Sequence, residues 1–304
     1  MKEQVVILDF GSQYTQVIAR RIRECKVYST ILPHNTPIAQ IAALNPKGII
    51  LTGGPKSVYS RKAPLPDKKI FDLGVPMLGI CFGLQLMAKY LGGKVERGLK
   101  REYGKGELQV KDVKCALFGK LPSALQVWNS HGDKLTQLPE GFKTVAATEN
   151  SPFAAVENRK RRFFGLQFHP EVVHTPKGKT IISNFVHKIC GCSRKWTMRN
   201  YIDQAVEDIR AQVGDEHVIL GLSGGVDSSV AAALIHKAIG KKLTCIFVNN
   251  GVLRANEAEA VQKLFRDNFK CNFLYENTAK LFLKKLKGVT DPEIKRKVIG
   301  NTFI

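Results

Sequence analysis

Two short stretches of this 304-residue sequence combine reactive residue types at spacings that would let them act together. The first is Gly79-Ile80-Cys81-Phe82-Gly83, a cysteine with a glycine two positions away on each side. Small flanking residues permit a sharp strand-to-helix turn. Such a turn exposes the central side chain above a sheet, next to a helix N-terminus whose positive end favours a thiolate. The N–H of Phe82 would then face the oxygen of a tetrahedral intermediate, and the Gly53-Gly54 turn after a neighbouring strand would supply a second donor. A thiolate needs a base. Phe168-His169-Pro170-Glu171 offers His169 as the proton shuttle and Glu171 as the group that fixes its tautomer from the far ring nitrogen. Taken singly, Cys81 reads as a buried core thiol and His169 as a loop histidine. Together with the glycine turn they read as a machine for acyl transfer.

The second stretch is Ser223-Gly224-Gly225-Val226-Asp227-Ser228-Ser229, which follows the apolar run Ile219 to Leu222. Two glycines let successive backbone N–H groups face one anion, the hydroxyls add donors, and a helix N-terminus adds partial positive charge. Asp227 inside such a cradle makes sense when it holds a cation, for which Mg²⁺ is the natural choice. The pattern is neither G-x-x-x-x-G-K-[ST] nor G-x-G-x-x-G, which disfavours ordinary kinase-type and dinucleotide sites. A bare glycine turn is the plain alternative.

Elements must hold these groups in place. Val5 to Leu8, Val27 to Leu32, Gly48 to Leu51 and Val75 to Ile80 read as buried strands. Helices are expected over Gln13–Glu24, residues 36–43, and from Cys81 to about Leu91. Continuous apolar strands alternating with helices imply a parallel sheet covered on both faces. From Glu107 to Phe168 the pattern suggests shorter strands and turns, an antiparallel extension of the same sheet, closed by a helix over Thr180–Lys188. After Gly191-Cys192-Ser193-Arg194 the alternation restarts. Helices are expected at Tyr201–Gln212, Val226–Ile239 and Asn256–Asn268, with strands at His217–Leu222, Leu243–Val248 and Asn272–Tyr275. Lys295 to Ile304 reads as a helix still in progress. Two α/β domains are therefore expected, 1–192 and 193–304, the second incomplete.

Composition narrows the rest. The chain is 44% hydrophobic and 24% charged, ordinary for a globular protein, and no run approaches the length of a membrane span. The apolar start is too short for a signal peptide. Seven cysteines, an odd number with one close pair at Cys190 and Cys192, indicate reduced thiols and a cytoplasmic setting. The net charge of +21 invites a nucleic-acid reading. The excess is spread over both halves, however, and its sharpest run, Arg159 to Arg162, sits in an expected loop. No nucleic-acid and no membrane partner is expected.

GICFGLQ, LTGGP and QFHPE together resemble the class I (triad-type) glutamine amidotransferases over residues 5 to about 190. The resemblance implies a flavodoxin-like α/β domain in which glutamine loses its amide nitrogen as ammonia through a thioester on Cys81. The matching glutamine-binding positions are Gln85 and the turn Ser130, His131, Gly132 and Asp133, for which a simple surface loop is the alternative. SGGVDSS resembles the loop of the ATP pyrophosphatase (PP-loop) enzymes, of the adenine nucleotide alpha hydrolase-like type. This implies ATP bound at Ser223, Gly224, Gly225, Val226, Asp227, Ser228, Ser229 and Val248, with Mg²⁺ at Asp227, and cleavage between the α- and β-phosphates.

The order of the two halves resembles the glutamine-hydrolysing GMP synthase family, which LTCIFVNNGVLR and Asp291-Pro292-Glu293 leading into KRKVIG also fit. The implied reaction adenylylates xanthosine monophosphate (XMP) with MgATP, and ammonia then displaces AMP to give GMP. Asn249 stands where that family usually has aspartate, and Arg296 is the one XMP contact that the resemblance supplies. The family continues well past residue 304 and forms homodimers. This chain is thus expected to keep the glutaminase site and the ATP loop without completing GMP synthesis. Another glutamine-dependent adenylating ligase, or a non-catalytic glutamine- or nucleotide-sensing module, are the alternatives.

Overall fold

Runs of branched apolar residues build the first strands, and glycine-containing turns switch them into helices. The computed structural model describes residues 3–269 and 271–303, apart from the side chains at positions 99 and 100. The chain divides into two compact units, one ending at Thr197 and one beginning at Met198. The break falls a few residues past the expected one. Ser193 N donates to the Glu3 carboxylate at 2.8 Å and Trp196 N to Lys26 O at 3.2 Å, so the connecting stretch is tied to the first unit.

The first unit starts with β1 (Gln4–Asp9), α1 (Thr15–Glu24), β2 (Tyr28–Pro33), α2 (Ile38–Ala43), β3 (Gly48–Leu51), β4 (Met77–Ile80) and α3 (Phe82–Tyr90). The chain continues through β5 (Lys94–Val110), β6 (Ala124–Gln137), β7 (Lys143–Ala147), β8 (Ala155–Asn158), β9 (Phe163–Leu166) and α4 (Gly178–Ser183). A π-helical turn over Asn184–Ile189 extends α4, in place of the single regular helix expected. The nine strands form one sheet in the order β2-β1-β3-β4-β9-β8-β7-β5-β6. The pairs from β2 to β9 are parallel and the rest antiparallel. Strands β3, β4 and β9 are wholly buried, with apolar clusters on both faces, as a helix-covered parallel sheet requires.

The antiparallel part departs from expectation. Instead of short strands beginning at Glu107, β5 begins at Lys94 and runs 17 residues, pairing with the 14-residue β6. Its many charged residues conceal it, because half of its side chains face solvent and only the alternation betrays a strand. A register shift between Arg97 and Glu102 kinks β5.

The second unit comprises α5 (Met198–Val213), β10 (Val218–Leu222), α6 (Val226–Ile239), β11 (Leu243–Asn249), α7 (Glu257–Asn268), β12 (Asn272–Asn277), α8 (Ala279–Leu286) and α9 (Pro292–Phe303). Ile304, the last residue of the expected terminal helix, lies outside the described residues. The three strands are parallel in the order β10-β11-β12. One face packs Leu222, Cys245 and Phe247 against Ala232, Val261 and Phe265 of α6 and α7. The other face leaves Ile219 and Leu274 exposed, so this sheet is covered on one side only by the described residues.

Candidate functional site

The sheet order places the carboxyl ends of β3, β4 and β9 side by side, and the three chemical features of the first unit sit at those ends. Gly53-Gly54 follows β3, Cys81 follows β4, and His169 follows β9.

Cys81 is the hinge between β4 and α3, with φ +51° and ψ −104°, a left-handed conformation that costs a non-glycine residue about 1–3 kcal/mol. The flanking glycines show why the turn can close. A Cβ on Gly83 would lie 2.2 Å from Leu51 O, and one on Gly79 would lie 2.6 Å from the Gly83 carbonyl carbon. The turn is pinned by Cys81 N donating to Leu166 O at 2.6 Å. Phe82 opens α3, so its N–H belongs to the first turn, which has no intrahelical acceptors.

His169 and Glu171 are 4% and 0% exposed, and His169 Nδ1 lies 2.7 Å from Glu171 Oε1. The ring and Cys81 line the same cavity. Burial works against the imidazolium, but the Glu171 carboxylate and the Cys81 side chain outweigh it and hold the His169 pKa well above the ordinary histidine value. The backbone is fixed too: His169 N donates to Trp128 O at 2.9 Å, and Thr175 Oγ1 donates to His169 O at 2.7 Å. Arg21 Nε donates to Glu171 O at 2.9 Å. The Tyr14 ring meets the imidazole edge-on at 5.1 Å. A Cβ on Gly53 would come within 3.2 Å of His169 Cε1, and one on Gly54 within 3.2 Å of the Phe82 ring. Both turn glycines therefore border the residues around Cys81.

Cys81 and His169 open into a cavity of about 560 Å³, whose wall includes Gln85, Ser130, His131, Gly132 and Asp133. The expected glutamine-binding turn is part of strand β6 rather than a surface loop. Gln85 Nε2 donates to Asp133 O at 2.9 Å, and His131 Nδ1 lies 3.2 Å from the same oxygen. Sequence reasoning missed Glu102, whose Oε2 is 3.0 Å from His131 Nε2 and which accepts from Thr148 Oγ1 at 3.0 Å. Burial pushes its pKa up, but the donors His131 and Thr148 prevail and hold it below the usual carboxylate value. The charge alternation along β5 was the available signal. Arg97 and Arg101 also line the cavity, with Arg101 lying over Gly132 at 3.8 Å from where a Cβ would stand.

In the second unit the loop 223–229 joins β10 to α6, as expected. Gly224 has φ +77° and faces Glu257 and Val261 of α7 at 3.2 Å from an added Cβ, so a side chain there is both strained and crowded. Ser228 Oγ lies 3.1 Å from Ser223 Oγ and donates to Gly225 O at 3.1 Å, and Ser229 Oγ donates to the same oxygen at 3.0 Å. Asp227 and Val226 are exposed at the start of α6, and the Asp227 carboxylate makes no hydrogen bond or ion pair with any described residue. Val248 lies on β11, two positions from Ile246, which pairs with Gly221 of β10 just before the loop. Asn249 accepts from Gly251 N at 2.9 Å and donates to the Tyr275 hydroxyl at 3.1 Å, so its amide shapes the β11 turn. Arg296 makes a two-pronged pair with Glu293 at 2.7 and 3.1 Å on the exposed face of α9.

The two units match different family models, while the sequence relatives match across both. The sequence model of the NAD synthase family matches residues 197–283. Over 302 residues, 99% of its length, the chain is 53% identical to the GMP synthase [glutamine-hydrolyzing] of Acetivibrio thermocellus and 54% identical to that of Brachyspira hyodysenteriae. It spans 59% of the length of each of these relatives. Among solved structures, a putative GMP synthase subunit from Thermoplasma acidophilum superimposes with a TM-score of 0.55 at 28% identity, covering 67% of this chain and 98% of the other. A glutamine amidotransferase from Thermotoga maritima shares the fold, with a TM-score of 0.51 at 20% identity over 63% of this chain and all of the other. The sequence model described as Glutamine amidotransferase class-I matches residues 6–189, the stretch that holds the elbow, the buried His–Glu pair and the cavity above them. By that match the chain belongs to the class-I glutamine amidotransferase family.

Proposed function

We propose that the first unit hydrolyses glutamine at Cys81. The observation that carries this reading is the strained elbow, with Cys81 at φ +51° sharing a cavity with a histidine that a buried carboxylate orients. The Cys81 thiolate attacks the γ-carbonyl carbon of glutamine, and the N–H groups of Phe82 and of the Gly53-Gly54 turn receive the oxyanion. His169, protonated, gives its proton to the departing nitrogen, which leaves as ammonia, and a γ-glutamyl thioester remains on Cys81. His169, now neutral, takes a proton from water as it attacks the thioester. Glutamate leaves and the thiolate is restored. Glu171 accepts from Nδ1 throughout and keeps Nε2 available for both transfers. Gln85, Ser130, His131, Gly132 and Asp133 bind the substrate in the cavity.

The second unit, on this reading, binds ATP as a substrate through Ser223 to Ser229 and Val248. Its exposed glycine-rich backbone and the helix α6 N-terminus suit a pyrophosphate. The residues present fit Mg²⁺: Asp227 offers one carboxylate without partners among the described residues, which hold no cluster of three or more histidine, cysteine or acidic groups. That suits an ion that takes one or two protein carboxylates and shares the phosphate oxygens. When bound, it would neutralise phosphate charge during cleavage between the α- and β-phosphates.

The identity of more than half to GMP synthases over nearly the whole chain supports XMP as the group adenylylated and GMP as the product of its amination by the released ammonia. Arg296, paired with Glu293 on an exposed helix face, is the proposed XMP contact. The proposed assembly is the homodimer that the family resemblance implies. The match of the second unit to NAD synthase keeps one other reading, a glutamine-dependent ligase that adenylylates a different acceptor. Incubating the chain, extended to the length of its relatives, with glutamine, MgATP and XMP tests this. GMP formation supports the proposal, and ammonia release without any XMP-dependent AMP formation would favour the other ligase.

A further inference from the structure

Cys81 Sγ has two neighbours besides His169, and they ask opposite things of it. Ser130 O lies 3.8 Å away and can only accept a hydrogen bond, so it holds the neutral thiol by its S–H. Gln167 Nε2 lies 3.8 Å away and can only donate, so it favours the sulfur that carries a lone pair and a negative charge. Hydrogen bonds to a charged partner are stronger than those between neutral groups.

Gln167 is built into the floor of the site. It is 1% exposed, and its backbone N donates to Ala154 O at 2.8 Å, which fixes the residue beside β8. Its Oε1 is buried with no hydrogen-bond partner among the described residues. A buried amide with an unpaired carbonyl is a costly choice where an apolar side chain of the same shape would pack without penalty. The cost makes sense if the other end of the amide, the N–H aimed at Sγ, is what the position is for.

We infer that Gln167 is a further catalytic residue, whose side-chain N–H stabilises the Cys81 thiolate against the pull of Ser130 O towards the neutral thiol. The inference rests on the reading of Cys81 as the nucleophile. Gln167 and the imidazolium of His169 then hold the attacking sulfur from two directions. In the thioester the sulfur loses its charge and the Gln167 contact weakens. As the thioester breaks down it strengthens again, which favours sulfur as the leaving group.

The test is the rate at which iodoacetamide alkylates Cys81, read by mass spectrometry of the Cys81 peptide, with buried Cys115 as the internal reference. In this reaction the thiolate attacks the methylene carbon and iodide leaves, so the rate follows thiolate supply without any glutamine chemistry. Gln167→Met keeps the volume and removes the donor, and it should slow alkylation about tenfold near neutral pH. Gln167→Leu, which also lacks a donor, covers the case in which the methionine variant does not fold, and it should be as slow. Glutamine hydrolysis should fall in kcat with KM little changed, because the contact is to the nucleophile rather than the substrate. A folded variant that alkylates as fast as the parent overturns the inference. A faster one does too, and would mean that Oε1 rather than Nε2 faces the sulfur. A parent that alkylates but releases no glutamate would sink the glutaminase reading instead, since the alkylation comparison stands without it.

Discussion

Cys81 holds a backbone conformation that cysteine disfavours, and this gives a measurable signature. Replacing it by glycine relieves the φ of +51°, whereas alanine keeps the strain. Cys81→Gly should therefore be more stable than Cys81→Ala by about 1 kcal/mol in urea unfolding, although both lack activity. His169 supplies the matching test in pH. Its folded pKa lies well above the unfolded value of about 6.5, so its contribution to stability is complete below that value and is lost as pH rises through the folded pKa. Unfolding midpoints of the first unit should fall as pH rises above about 6.5, and Glu171→Gln should flatten that slope. The same substitution should cut glutamine turnover by about 10³–10⁴-fold, as the loss of a histidine-orienting carboxylate does elsewhere. An unchanged pH slope in Glu171→Gln would show that the pair does not set the His169 charge.

At the scale of elements, the glycines around Cys81 do different work from most glycines in turns. They let α3 cross β3 and β4 at distances no Cβ allows, so Gly83→Ala, with its methyl 2.2 Å from Leu51 O, should destabilise the unit by about 3 kcal/mol and abolish turnover. Thermal unfolding against Gly92→Ala, which meets nothing within 4 Å, checks that the effect is one of contact, since the positive φ of Gly92 adds only backbone strain. The buried strands and the elbow were legible because continuous apolar runs and G-x-C-x-G leave few ways to fold. Strand β5 was not, because Lys94, Glu96, Lys105 and Glu107 on its solvent side outweigh the alternation in a sequence reading. Glu102 and Gln167 went unread for a related reason. Each is an ordinary polar residue whose meaning depends on a partner 29 or more positions away in sequence. Helix α8 was missed as well, its amphipathic face short and crowded with lysines.

Over the whole molecule, the +21 charge is not gathered at one motif. In the run Arg159 to Arg162, Arg161 donates to Phe71 O and Arg162 to Gly74 O, so two of the four cations brace a turn. No described helix is long and apolar enough to cross a membrane. The two units should answer separately to substitution. Asp227→Asn should weaken Mg²⁺-dependent ATP binding by about tenfold in calorimetry while leaving Cys81 alkylation unchanged, if the carboxylate serves the nucleotide as proposed. An equal loss in magnesium-free buffer would assign Asp227 another role. The proposed role of Cys81 as a nucleophile towards glutamine is tested most directly by glutamate and ammonia release from glutamine by the chain and by its Cys81→Ala variant. The account predicts equal amounts of both products from the parent and none from the variant. Release that survives the substitution, or its absence from a parent restored to the length of its relatives, would contradict it.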